Sequence, residues 1–73
     1  MDREEEYERG FLSGKHYGEI EIIFRGHIYA RGNDLAAQDA MNSVIEHSPP
    51  EELHTEDWRK GFIEGRNSVE DIR

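Results

Sequence analysis

The chain contains no cysteine. That excludes a disulfide framework and a thiolate metal site, and it makes a reducing compartment the expectation: the cytoplasm, or a host cytoplasm if the protein is phage-encoded. No run of 18 apolar residues occurs, so no membrane-spanning helix is expected. The opening Met1-Asp2-Arg3-Glu4-Glu5-Glu6 has neither the basic start nor the apolar stretch of a secretory signal. Basic charge is scarce and evenly outweighed. Nine Lys and Arg face seventeen carboxylates, a net charge of -8. Residues 1–18, 19–47 and 48–73 carry net -2, -3 and -3, with no basic stripe or tail. Counterion release, the main drive for gripping a nucleic-acid backbone, has little to act on, so direct nucleic-acid binding is not expected. An acidic surface favours basic partners or simple solubility.

Hydrophobic residues make up 34% of 73 and charged residues 36%, close to the disordered range, but the apolar residues are patterned and argue for one folded domain, 1–73. A core of this size yields at most about 3–5 kcal/mol, so partner binding or a homodimer is a natural source of further stability.

The spacing predicts a helix over 2–16, with Tyr7, Gly10, Phe11 and Gly14 at i, i+3, i+4 and i+7, and Gly18 as its stop. Over 19–31, Ile20, Ile22, Phe24, Ile28 and Ala30 share one parity. With the β-branched content this predicts a two-stranded hairpin turning at Arg25-Gly26-His27, or one long strand bent at Gly26 if a second chain supplies a partner. Gly32-Asn33-Asp34 offers an N-cap for a helix over 34–47, built on Ala37, Ala40, Met41, Val44 and Ile45. A last helix is expected over 51–68, capped by Ser48 with Pro49 and Glu51, or starting later at Thr55. Residues 69–73 read as a fraying tail. The fold class that follows is α+β, ordered α-β-β-α-α, with the hairpin packed against helices.

Both terminal helices carry one pattern. Tyr7-Glu8-Arg9-Gly10-Phe11-Leu12-Ser13-Gly14 matches Trp58-Arg59-Lys60-Gly61-Phe62-Ile63-Glu64-Gly65. A glycine inside a helix costs about 1 kcal/mol relative to alanine, so four of them need a compensating gain. Glycines four apart notch a helix face. Gly10 and Gly14 can receive Trp58 and Phe62, while Gly61 and Gly65 can receive Tyr7 and Phe11. These eight residues form the candidate face, serving either packing between the terminal helices or partner docking.

Arg9-Gly10-Phe11-Leu12-Ser13-Gly14 with Trp58-Arg59-Lys60-Gly61-Phe62 resembles the two helix signatures of the bacterial ribosome modulation factor family, over eleven of the 73 residues. That family is short, with a Gly-aromatic helix at each end, and binds ribosomes to favour inactive dimers. The resemblance implies packing geometry first, and a ribosome- or RNA-associated factor as one functional reading.

Catalytic and metal sites are not expected. His16, His27, His47 and His54 form no HxxxH or HExxH spacing, and no serine sits in a nucleophile elbow. No GxxxxGK[ST] and no strand-borne GxGxxG occur, which leaves phosphate cradling unsupported. The chain reads as a non-enzyme without cofactor: a small acidic protein-binding module. By analogy of class it is similar to phage- or mobile-element-encoded inhibitors of host machines, including nucleic-acid mimics. A self-assembling structural subunit is a further reading.

Overall fold

The computed structural model describes residues 3–25 and 32–69. They form three helices: α1 (Arg3–Arg25), α2 (Asp34–Glu46) and α3 (Glu56–Ser68). Helices α1 and α3 lie side by side in parallel. Their contacts advance in step, from Gly10 at Trp58 through Gly14 at Phe62 to Gly18 at Val69. Helix α2 runs back, so that its first residue, Asp34, meets the end of α3 through a 2.9 Å hydrogen bond from Asn67.

Each end is set locally. Glu4, Glu5 and Glu6 occupy the first turn of α1, where the helix dipole favours carboxylates. The Asn33 side chain accepts from the Ala36 backbone N–H at 3.1 Å and caps α2. Thr55 accepts from Trp58 N–H at 3.2 Å and caps α3. Ser48 does not cap the last helix. Its hydroxyl donates to the Val44 carbonyl at 2.8 Å and closes α2 instead, which leaves the later start at Thr55.

The core is a sandwich of α2 on α3. Ala40 and Met41 pack against Trp58 and Phe62, flanked by Tyr17, Val44, Ile45 and Ile63. The Trp58 and Phe62 rings sit 5.3 Å apart and Phe62 is fully buried.

The α+β expectation is corrected to an all-α fold. Glu19 to Phe24 continue α1 rather than opening a hairpin, and no strand occurs among the described residues. Arg25, the first residue of the expected turn, ends α1 instead, and the rest of the turn and the second strand, 26–31, lie outside the described residues. Two interactions account for the helix. Gly18 is not a stop: a side chain there would collide with Val69 and the Arg66 carbonyl, so it extends the i+4 series of Gly10 and Gly14 by one notch. Three residues on, Glu21 is buried against Arg66. Isoleucine disfavours a helix by well under 1 kcal/mol, a weak local preference that such tertiary contacts override. Val69 is likewise not a fraying end. It is 7% exposed, while residues 70–73 lie outside the described set.

Candidate functional site

The eight residues singled out by the repeat come together where α1 meets α3. Gly10, Gly14, Gly61 and Gly65 are all buried. A Cβ on Gly10 would land on the Trp58 carbonyl, and one on Gly14 on the Phe62 carbonyl. A Cβ on Gly61 would meet Tyr7 O, and one on Gly65 would meet Phe11 O. The expected residue pairing therefore holds, but the atoms differ: each glycine receives its partner's backbone, not its ring. Carbonyl oxygens poised over glycine Cα–H groups are the arrangement in which weak Cα–H···O contacts form between helices. With no Cβ between them, the two backbones gain dense dispersion contact.

The rings thus point away from the notches, in two directions. Trp58 and Phe62 turn into the α2–α3 core. Tyr7 and Phe11 pair with each other, centroids 6.3 Å apart, and remain half-buried. Beside them Leu12 is 65% exposed. Tyr7 and Phe11 line a groove of about 910 Å³ that is completed by Lys60, Ile63, Glu64, Asn67 and Ser68 of α3 and by Gly32 and Asp34 at the start of α2. A smaller hollow under Tyr7, Glu8, Phe11 and Leu12 adjoins it.

Sequence reading missed the ion pair that locks the far end of the helix pair. Arg66 is 1% exposed and Glu21 4%. The guanidinium donates to both carboxylate oxygens, Nε to Oε1 at 3.3 Å and Nη2 to Oε2 at 3.4 Å. Both bonds are long, but two-pronged pairing is directional, and removal of one partner would strand a buried charge. The signal was present: Glu21 continues the α1 stripe three residues after Gly18, and Arg66 follows Gly65 on α3.

At the opposite end Glu6 is buried over the start of α3. Its Oε2 accepts from the Thr55 hydroxyl at 3.5 Å, and Oε1 lies 3.6 Å from Arg9 without a hydrogen bond. His54 packs against Trp58 with the rings tilted by 50° and centroids 4.3 Å apart, and neither ring nitrogen is hydrogen-bonded. His47 sits at the end of α2, its Nδ1 2.8 Å from the Ser43 carbonyl. His16 is exposed and His27 lies outside the described residues. Among the described residues no three His, Asp or Glu side chains gather as a metal-binding group, and no helix is long and apolar enough to cross a membrane.

On the sequence side, no protein-family model and no curated protein matches the chain; among solved structures none matches its fold.

Proposed function

We propose that the protein is a non-enzymatic binding module that docks a protein partner on the Tyr7–Phe11–Leu12 face of α1, extended by Ile63 of α3. The observation that carries this reading is the division of the repeat. The glycines, Trp58 and Phe62 are consumed inside the molecule, while Leu12 is left 65% exposed beside a half-buried ring pair and an open groove. Aromatic rings beside an apolar side chain make good anchors at protein interfaces. Glu8 and Glu64 border the apolar patch, and the net charge of -8 favours a basic partner. An inhibitor of a host nucleic-acid-handling machine is the class of role that fits such a surface.

Capture from a bacterial lysate tests this, with the Leu12→Asp variant as the comparison. Leu12 is exposed, so its replacement leaves the melting temperature within the range of an ordinary surface change. Loss of the partner from the variant at unchanged stability is the expected result. Equal capture by both proteins sinks the reading.

A further inference from the structure

Between the C-terminal half of α1 and α2 lies a cleft of about 440 Å³. One wall is Tyr17, whose ring is held against Phe62 at 6.1 Å. The other is a side of α2 on which Ala36, Ala40 and Ser43 follow each other at helical spacing, with Ala40 buried at its base where α2 enters the core. These small residues are what leaves the cleft open; leucine or methionine there would fill it. Leu35 adds an apolar lip, 76% exposed. Asp39 stands at the rim on the same helix, exposed. Glu21 lies at the back, but its charge is taken by Arg66. Asp39 therefore supplies the free negative charge, in a chain already at -8.

A slot with an aromatic wall, an apolar floor and a carboxylate at its mouth matches a long side chain with a flat cation at its tip. The methylenes lie along Leu35 and Ala40, the guanidinium stacks on Tyr17, and its N–H groups donate to Asp39. We propose that this cleft binds an arginine side chain presented by a basic protein partner. The proposal rests on the protein-binding reading but uses a different surface from the Leu12 face, so the two fail separately.

The test is an amide-resolved NMR titration of the full chain with a short peptide carrying one arginine between glycines, and with its citrulline counterpart. Citrulline keeps the shape and loses the charge. Saturable shifts confined to Tyr17, Asn33, Ala36, Asp39, Ala40 and Ser43 are expected with the arginine peptide. Citrulline, or Asp39→Asn with the arginine peptide, should bind about tenfold more weakly, the scale of one charge-assisted hydrogen bond. Ala36→Leu should fill the cleft and abolish the shifts. Asp39 is exposed, so its variant decides the matter even if Ala36→Leu perturbs the fold. Absence of saturation at millimolar peptide overturns the proposal. So do shifts spread evenly over the acidic surface, or equal binding of the citrulline peptide. None of these results depends on capture through Leu12, and loss of capture by Leu12→Asp leaves the cleft titration unchanged.

Discussion

Helix α3 meets its two neighbours by different means. Against α2 it offers side chains: Trp58 and Phe62 interlock with Ala40 and Met41. Against α1 it offers backbone, because Gly61 and Gly65 face the carbonyls of Tyr7 and Phe11 while Gly10 and Gly14 receive those of Trp58 and Phe62. A side-chain interface can adjust rotamers when disturbed. A backbone interface has no such freedom, since moving one carbonyl moves a helix. The α1–α3 contact should therefore be the less forgiving of added atoms, and the α2–α3 contact the less forgiving of lost ones.

The largest effect is expected from removal of Phe62, which is fully buried between α2 and the rest of the core. Phe62→Ala should cost about 3–5 kcal/mol, enough to unfold most molecules of a marginal domain. Urea unfolding followed by Trp58 fluorescence measures it. If the variant loses less than a surface substitution would, the α2–α3 contact is not the core.

Next comes the addition of a single methyl to the backbone interface. Gly14→Ala gains about 1 kcal/mol of helix propensity, yet it pushes α1 off the Phe62 carbonyl. The net cost should lie at the upper end of the about 1–3 kcal/mol typical of overpacking. Gly10, Gly61 and Gly65 should behave alike, because each meets a backbone atom. Thermal melts of the four alanine variants check this, and stabilisation at any of them would mean that the helices stand farther apart there.

This notched face was legible in the sequence, since a repeat of aromatic, glycine and phenylalanine at helical spacing has few other uses. Its continuation was not. Ile20, Ile22 and Phe24 alternate with Glu19, Glu21 and Ile23, and period two with β-branched residues reads as strand. The helical reading was present beneath it, as Tyr17, Gly18 and Glu21 prolong the stripe of Gly10 and Gly14. What decides between the two periods is the facing helix, with Val69 in the third notch and Arg66 on Glu21. A single-segment pattern does not contain that partner. The start of α3 shows the same limit. Ser48 and Thr55 are equally good caps locally, and Thr55 is the one that also reaches Glu6.

Gly32 gives a smaller effect with a separate cause. Its φ is +79° and nothing lies within 4 Å of a Cβ placed there. Gly32→Ala meets no atom but occupies a left-handed conformation, at a cost of about 1 kcal/mol. Gly32→Asn should be nearly neutral, because asparagine tolerates that region. At Gly14 the order reverses, the larger asparagine being worse than alanine. One pair of substitutions at the two sites thus separates strain from collision.

The smallest effect is expected at Gly18, where the comparison between backbone and side-chain contact is sharpest. A Cβ there would lie 2.7 Å from Val69 Cγ2 and 3.2 Å from the Arg66 carbonyl. The nearer obstacle is a side chain, in contrast to Gly10 and Gly14. Val69 follows the last residue of α3 as its C-cap, so it can shift without moving the helix axis. Gly18→Ala then sets a propensity gain of about 1 kcal/mol against an overpacking cost of similar size, and the net should stay near zero. The sign turns on Val69. In a Val69→Ala background the 2.7 Å contact is gone while the residue-69 Cβ at 3.1 Å and the Arg66 carbonyl at 3.2 Å remain close, and Gly18→Ala should move toward stabilisation, by about 0.5 kcal/mol. A double-mutant cycle read by urea unfolding gives the coupling, which should be favourable here and absent between Gly14 and Val69. A Gly18→Ala cost as large as that of Gly14→Ala, unrelieved by Val69→Ala, would show that the backbone contact runs the whole length of the α1–α3 pair.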